Sequence, residues 1–293
     1  MDRYTKVLQE SNVPVDKDFI KKELEKISEK LPELRKPEVY AKIFSCIDLT
    51  TLNTTDSQNS VTGFVQRVND FDNEYPQYPN VAAICVFSNF AGVVKSSLEV
   101  TGVKTAVVAG GFPSGQTFTE VKVADAALAV SEGADEVDVV MNLGLLRDGN
   151  YEELCDELIE VKHAVKDAHM KVIIESGALR DPEKIRDASI LAIYSDADFI
   201  KTSTGKVYEG ASPEAAYVMC RCIKEYFEKT GRKVGFKAAG GVRSAEDALL
   251  YYAIVKEVLG EEWLNDSLFR IGASSLANAI LAKMLDEAEV KYF

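Results

Sequence analysis

Two lysines in short apolar segments are the residues of this sequence best suited to covalent chemistry. Lys201 lies in ADFIKTS (197–203) and Lys237 lies in VGFKAAG (234–240). A lysine is rarely buried unless it is paired or functional. The neutral amine of a lysine can attack an aldehyde to form a Schiff base, which withdraws electrons from the adjacent carbon–carbon bond. We therefore expect one of the two to form a Schiff base; a salt bridge to a carboxylate is the structural alternative.

Repulsion between the two ammonium groups could keep one lysine neutral. A nucleophilic lysine near neutral pH needs a pKa about 3 units below its usual value of about 10.4, which corresponds to about 4 kcal/mol. Two unit charges about 4 Å apart repel by about 4 kcal/mol at an effective dielectric constant near 20. Burial adds to this effect. Because this repulsion acts equally on both lysines, either of them could be the nucleophile.

Asp138 in DEVDVVM (135–141) is the carboxylate that we expect to face the two lysines. Residues two apart on a strand share a face, so Glu136 and Asp138 point the same way. Asp138 could relay protons during Schiff-base chemistry, or could act only as a charge partner. We expect Asp135 and Glu136 to be solvent-exposed or rim residues.

Three glycine-rich loops follow the last three predicted strands and could bind a phosphate group. Glycines let backbone N–H groups approach an anion, and the N-termini of helices favour negative charge. Ordinary turn glycines are the alternative. The candidate residues are Gly205 and Lys206 after strand 6, Gly240, Gly241, Val242 and Arg243 after strand 7, and Gly272, Ser274 and Ser275 after strand 8.

Other candidate site residues lie on the first two predicted strands. Asp48 and Thr50 end the first strand, and Cys85 lies in the second. Cys85 is either a small buried residue or part of the substrate pocket; no histidine is placed to activate it as a catalytic thiol. The two histidines, His163 and His169, are six residues apart, which is not the spacing of a helical metal site.

Eight short apolar segments alternate with helical patterns, which predicts an α/β fold of the (β/α)8 TIM-barrel type. Such barrels carry their active sites at the carboxyl ends of the strands. A doubly wound sheet is the alternative, but IDLTTL after the first strand is not a Gly-rich dinucleotide loop. The predicted strands are 43–49, 81–87, 104–110, 135–141, 171–176, 197–203, 234–240 and 268–273, and the predicted helices include 116–132, 151–168, 182–194, 212–229, 244–258 and 274–288.

Residues 1–40 are predicted to be an N-terminal helical extension, and residues 41–293 a single barrel domain. Phe19, Leu24, Ile27 and Leu31 recur at helical spacing. We expect this helix to cap one end of the barrel; a helix that binds a partner is the alternative.

Composition indicates a protein that acts on small molecules. The formal net charge is −13, which disfavours binding to nucleic acid and to anionic membranes. The five cysteines include no CxxC pair, and we find neither a signal-peptide pattern nor a membrane span. We therefore expect a reduced, cytoplasmic protein.

The motifs together resemble the deoxyribose-phosphate aldolase family. They occur in family order over about residues 44–280, outside the N-terminal extension. They are IDLTTL (47–52), AAICVF (82–87), GFPSGQT (111–117), GADEVDVVMNLG (133–144), KVIIESG (171–177), DFIKTSTGK (198–206), GFKAAGGVR (235–243) and FRIGASSL (269–276).

The resemblance implies a class I aldolase, a lyase of deoxyribose phosphate catabolism and carbohydrate degradation that uses neither metal nor cofactor. Its reaction reversibly cleaves 2-deoxy-D-ribose 5-phosphate to D-glyceraldehyde 3-phosphate and acetaldehyde. By similarity, Lys201 forms the Schiff base, Lys237 perturbs it, and Asp138 donates and accepts protons. The glycine-rich loops match phosphate-binding positions, and Asp48 and Thr50 match positions near the sugar hydroxyls.

This chain departs from the family pattern at a few positions. Ala238 and Ser88 replace prolines that shape the backbone, and the sequence leaves open whether Tyr292 takes the role of a functional C-terminal tyrosine. Another Schiff-base sugar-phosphate aldolase or a transaldolase is an alternative function, as is a non-catalytic barrel that binds phosphosugars. The sequence does not determine the oligomeric state; a homodimer is one option.

Overall fold

The computed structural model describes residues 2–293 and contains a closed barrel of eight parallel strands. Each strand pairs with the next in sequence, and β8 pairs with β1. The predicted (β/α)8 fold is confirmed, and the doubly wound alternative is wrong. The strands are β1 Ile47–Thr50, β2 Ala83–Phe87, β3 Lys104–Ala109, β4 Glu136–Val140, β5 His169–Ile173, β6 Phe199–Lys201, β7 Gly235–Ala239 and β8 Phe269–Ala273.

Helices surround the barrel, and none within residues 2–293 is long and apolar enough to cross a membrane. They are α1 Arg3–Gln9, α2 Lys17–Glu29, α3 Leu31–Leu34, α4 Pro37–Phe44, α5 Gln58–Glu74, α6 Ala91–Ser97, α7 Thr119–Ser131, α8 Leu143–Asp148, α9 Tyr151–Val165, α10 Ser176–Leu179, α11 Pro182–Tyr194, α12 Pro213–Thr230, α13 Ala245–Val258 and α14 Leu276–Leu285.

Local sequence explains where several helices begin. Ser244 and Asp247 form a capping box, in which the Ser244 hydroxyl accepts from the Asp247 N–H and the Asp247 carboxylate accepts from the Ser244 N–H, both at 3.1 Å. Pro182 and Pro213 occupy first-turn positions, where a missing N–H costs nothing. Ser88 begins a short 3₁₀ helix, and Ala238 is buried within β7.

Alternation along the strands divides the barrel wall into two faces. On β2, Ile84 and Val86 pack into the large apolar core, while Ala83 and Cys85 belong to a small separate cluster. Two predicted strands needed correction: residues 43–44 end α4 rather than begin β1, and β5 starts at His169 rather than at residue 171. This second shift places Lys171 in the middle of a strand, where it is fully buried.

The N-terminal segment packs against the helices that surround the barrel. Helix α1 contacts α9 and α11, and α2 contacts α12 and α13. The buried stripe of α2 contains Ile20, Leu24 and Ile27. Phe19 was expected in this stripe, but it is 41% exposed, because Ile20 provides the fourth-residue spacing to Leu24 that a helical face requires.

The packing of α2 predicts that Ile20→Ala destabilises the protein while Phe19→Ala does not. Deletion of a fully buried isoleucine side chain typically costs about 2–5 kcal/mol, whereas exposed substitutions usually change stability by less than about 0.5 kcal/mol. Urea unfolding of both variants measures the difference. Equal losses would mean that α2 is not packed in this register.

Candidate active site

The interior of the barrel contains a compact cluster of charged side chains. Lys201 and Lys237 are directly paired neighbours on β6 and β7, and Asp138 is paired with Lys171 across β4 and β5. Lys201 is 4% exposed and the other three are fully buried. The two lysines therefore lie side by side inside the barrel, as the argument from their mutual repulsion requires.

Asp138 connects three lysines. Its Oδ2 accepts hydrogen bonds from Lys201 Nζ at 2.7 Å and from Lys237 Nζ at 2.8 Å. Its Oδ1 accepts from Lys171 Nζ at 3.1 Å. One carboxylate oxygen thus bridges the two candidate catalytic amines, which is the geometry that a proton relay between them requires.

A second set of charges surrounds this group. Arg270 donates to Asp48 Oδ1 at 2.6 Å and to Glu136 Oε1 at 2.7 Å. Lys171 donates to Glu136 Oε2 at 2.5 Å, and Lys237 donates to Asp48 Oδ2. Each carboxylate therefore contacts at least two cations, as buried charges require.

The expectation that Glu136 is a rim residue is wrong, since Glu136 is only 2% exposed. It points into the barrel on the same face as Asp138, where Arg270 and Lys171 bind it. Neither Arg270 nor Lys171 was predicted from the sequence as a site residue. The sequence pattern that could have identified them is a basic residue among apolar strand residues. Lys171 lies within His169–Ile173 and Arg270 within Phe269–Ala273.

The cluster carries no net charge when one of its basic groups is neutral and its other groups are ionised. Four basic groups, Lys171, Lys201, Lys237 and Arg270, surround the carboxylates of Asp48, Glu136 and Asp138. If all seven were ionised, the buried interior would carry one excess positive charge, which is costly in a low-dielectric medium.

Lys201 is the base best suited to be neutral. Burial lowers the pKa of Lys201, the Lys237 ammonium lowers it further, and Asp138 opposes both. Burial alone would also lower the pKa of Lys237, but Asp138 and Asp48 outweigh it and raise that pKa above its ordinary value. The symmetry left by the sequence is thus broken, because Lys201 has one carboxylate partner and Lys237 has two. Burial, rather than repulsion from Lys237, is the larger cause.

The two carboxylates that contact Lys237 remain ionised. Burial would raise the pKa of Asp138, but Lys171, Lys201 and Lys237 hold it well below its usual range. The Lys237 and Arg270 cations likewise lower the pKa of Asp48 against the effect of burial.

A cavity of about 290 Å³ opens above Lys201. It brings together Lys201 and the predicted phosphate-binding residues, although their roles remain predictions. Its volume is close to the lower limit of typical small-molecule sites. It is lined by Thr50, Thr51, Leu52, Asn53, Lys201, Thr204, Gly205, Lys206, Ala239, Gly240, Gly241, Val242, Arg243, Gly272, Ala273, Ser274 and Ser275.

Four predicted site residues, Asp48, Cys85, Asp138 and Lys237, do not line this cavity. Asp48 is fully buried and bonded to Lys237 and Arg270, so it can position Lys237 but does not reach a ligand in this cavity. Burial raises the pKa of Cys85, with a smaller opposing effect from Lys237. Its protonated thiol is therefore a small buried group near the lysines.

Close approach between loops explains several of the glycines. Gly205 and Gly240 have positive φ angles of 71° and 83°, which only glycine adopts readily. A Cβ on Gly240 would lie 2.9 Å from the Cα of Gly210. A Cβ on Gly272 would lie 3.0 Å from Cε of Lys237, so glycine there leaves room for the lysine.

Two basic side chains and the start of a helix border the cavity. Lys206 and Arg243 line it, and Lys206 Nζ donates to the Leu52 carbonyl at 2.5 Å. Helix α14 starts immediately after Ser274 and Ser275, so its N-terminus faces the cavity. Glu175 was missed as a supporting residue: it has φ 49° and accepts from the N–H and hydroxyl of Thr204 at 3.1 and 2.6 Å.

Two other motifs lie away from the cavity. In GFPSGQT, Pro113, Ser114 and Gln116 line a separate hollow of about 400 Å³. Tyr292 packs edge-on against Phe71, and its hydroxyl donates to the Arg67 carbonyl at 3.0 Å on the outer layer. The C-terminal tyrosine therefore does not reach Lys201 in this structure.

The charge cluster predicts a large cost for Lys171→Met and a small one for Lys30→Met. Lys171 and Lys30 each donate to a glutamate at 2.5 Å. Loss of Lys171 leaves buried carboxylates uncompensated, a defect that typically costs about 3–5 kcal/mol, whereas Lys30 and its partner are exposed to water, which screens the pair. Chemical denaturation compares the two variants. A small loss for Lys171→Met would contradict the proposed role of the cluster in stability.

Comparison with known proteins places this arrangement in a family. The model of the DeoC/LacD family aldolases matches residues 43–280. The deoxyribose-phosphate aldolase of Homo sapiens is 38% identical over 261 residues, which cover 86% of this chain and 82% of that protein. The bovine deoxyribose-phosphate aldolase is 36% identical over 278 residues, with 91% and 87% covered.

Solved structures of aldolases also resemble this chain in sequence and fold. A tetrameric deoxyribose phosphate aldolase from Aeropyrum pernix superposes with a TM-score of 0.64 at 26% identity, covering 87% of this chain and 95% of the other. A structure described as QR15, an aldolase, gives a TM-score of 0.67 at 29% identity, with 83% and 98% covered. The resemblance expected from the motifs is confirmed, and the chain belongs to the DeoC/LacD family of aldolases.

Proposed function

We propose that this chain is a deoxyribose-phosphate aldolase that uses Lys201 to form a Schiff base. The reaction is the reversible cleavage of 2-deoxy-D-ribose 5-phosphate to D-glyceraldehyde 3-phosphate and acetaldehyde. The observation that carries the proposal is the position of Lys201: a buried amine with a lowered pKa at the cavity that the glycine-rich loops line. Relatives named for this reaction support the substrate.

The first step forms the covalent intermediate. Neutral Lys201 Nζ attacks the C1 aldehyde of the open-chain sugar and yields a carbinolamine. Loss of its hydroxyl as water gives the iminium, and this step needs a proton. Lys237 carries a proton at neutral pH because its pKa is raised, and it shares Asp138 Oδ2 with Lys201. The pair therefore supplies the proton within hydrogen-bonding reach.

The second step breaks the carbon–carbon bond. A base removes the proton from the C3 hydroxyl, the C2–C3 bond breaks, and its electron pair moves to the iminium to form an enamine. Glyceraldehyde 3-phosphate leaves. Protonation of the enamine at C2 and addition of water then release acetaldehyde and regenerate the Lys201 amine. Asp138 transfers protons between Lys201 and Lys237 during these steps.

The loops after β6, β7 and β8 hold the phosphate in this proposal. Lys206 and Arg243 provide charge, and Gly240, Gly241 and Ser275, which line the same cavity, supply backbone N–H groups. A phosphate dianion bound there holds the C5 end of the sugar away from Lys201, so that the C1 aldehyde is the group that reaches the amine. Binding energy at the phosphate thus orients the reacting carbon.

We propose a cytoplasmic location and a homodimeric assembly. Support for the location is the set of five buried, unbridged cysteines, which suits a reducing compartment. The Aeropyrum pernix relative is described as tetrameric, so the measured mass in solution decides the assembly.

Borohydride trapping tests the covalent step. Reduction in the presence of 2-deoxyribose 5-phosphate should attach a substrate-derived group to Lys201, seen by peptide mass mapping, because the iminium forms there. Lys201→Arg should abolish both the adduct and turnover, and EDTA should change neither in the unaltered protein. An adduct on Lys237 or on another lysine would contradict the assignment.

Lys206→Ala should act mainly on substrate binding. A hydrogen bond to a charged group contributes roughly 1.5–3 kcal/mol, so we expect KM to rise about tenfold or more with a smaller change in kcat. Lys283→Ala, on the exposed face of α14, is the matched control and should leave both constants unchanged. A large loss of kcat at unchanged KM would exclude Lys206 as a phosphate ligand.

A further inference from the structure

A second, larger cavity lies between the N-terminal helix α2 and the loops that follow β5 and β6. Its volume is about 710 Å³, within the range of typical small-molecule sites. Its walls come from the first turn of α2, from helix α10 with the residue that ends it, and from the starts of α11 and α12. Nothing in the aldolase reaction uses this cavity.

Basic side chains around this cavity have no acidic partner. Lys17 and Lys21 are one turn apart on α2, and Arg180 stands on the opposite wall. None of the three forms an ion pair within 4 Å among residues 2–293, and the Arg180 side chain donates only to the Gly177 carbonyl. All three side chains are exposed, so these cations are available to a ligand.

Further features favour an organic anion with an apolar part. Ser176 lines the cavity, is 3% exposed, and its hydroxyl has no hydrogen-bond partner among the described residues. Ile20, Pro182 and Ile185 supply apolar surface. Helices α2, α11 and α12 also begin there, although the side chains of Asp16, Asp181 and Ser212 already cap their N-termini.

Acidic residues also line this cavity, but they do not form a cation site. Asp18, Glu209 and Glu214 are all exposed. Within the described part of the chain, no three such side chains come together as a group that could hold a metal ion. Hydroxyl groups of a phosphorylated ligand could donate to them while its phosphate binds the lysines and the arginine.

The two cavities share one wall. The loop after β6 contributes Gly205 and Lys206 to the reaction cavity, and Glu209 and Gly210 to the second cavity. Gly210 is in such close contact with Gly240 that a Cβ on it would lie 2.1 Å from the Gly240 carbonyl oxygen. Ala211 N–H also donates to that oxygen at 3.0 Å. If a ligand in the second cavity shifts this loop, the backbone that lines the reaction cavity therefore moves as well.

The geometry points to a second ligand site for a phosphate monoester, built by the N-terminal extension and coupled to the reaction cavity through the Gly205–Gly210 loop. The binding part of this inference is independent of the catalytic proposal, whereas the coupling part rests on the proposed function. Occupation of the second site stabilises one position of the loop and so alters the affinity of the reaction cavity for its substrate.

Calorimetric titration with phenyl phosphate tests the binding. This probe joins a phosphate to an apolar ring and has no aldehyde to react. Lys21→Glu should weaken binding at the second site about tenfold or more, since it reverses a charge on its wall. Lys22→Glu is the matched control, because Lys22 is the next residue on α2, is exposed and does not line the cavity. The Lys206→Ala chain, titrated in parallel, weakens binding in the reaction cavity, so that binding in the second cavity is measured against a smaller background.

Two results would overturn the inference. If Lys21→Glu and Lys22→Glu titrate alike on the Lys206→Ala background, the cavity does not bind phosphate monoesters. If phenyl phosphate inhibits the aldol reaction in a purely competitive manner, equally in the unaltered chain and in Lys21→Glu, the two sites are not coupled. The titration needs no turnover, so a failure of the proposed catalytic function would be seen separately.

Discussion

The structure depends on one constraint: seven ionisable side chains are buried inside the barrel, and each charge has to be compensated there. Asp138 provides much of this compensation, because its carboxylate accepts hydrogen bonds from Lys171, Lys201 and Lys237. Arg270 binds the other two carboxylates, Asp48 and Glu136. With four bases and three acids, a neutral Lys201 is the arrangement that leaves no excess charge, and neutrality is what a nucleophilic amine needs.

This constraint links stability to chemistry. Buried ion networks contribute little net stability, but loss of one member leaves an uncompensated charge. Arg270 and Lys171 do not line the reaction cavity, yet they bind Asp48 and Asp138, the two carboxylates that contact Lys237. Glu136 in turn binds both of these cations. The barrel therefore maintains the protonation states of its active site through residues that no substrate touches.

At the carboxyl ends of the strands, the shape of the barrel depends instead on close contact between the backbones of neighbouring loops. Gly205, Gly210 and Gly240 pack so tightly that side chains cannot be added. Such contact shapes a site for an anion without dedicated side chains, and it also makes the loop after β6 a common wall of two cavities. The N-terminal extension gains a role in this view, since α2 forms the far wall of the second cavity.

Local sequence determined much of this protein. The alternation of apolar strands and amphipathic helices predicts the barrel, because each strand needs a helix to cover it, and lysines within apolar strands identify the chemistry. Tertiary structure alone decided the rest. Glu136 was expected at the rim, Lys171 began a predicted strand, and Arg270 was given no role, until strand register set all three on the inner face. The roles of Lys201 and Lys237 differ because Asp48, far away in sequence, contacts only one of the two. Such contacts join residues up to about 220 positions apart, and no local pattern encodes a pairing that exists only once the barrel has closed.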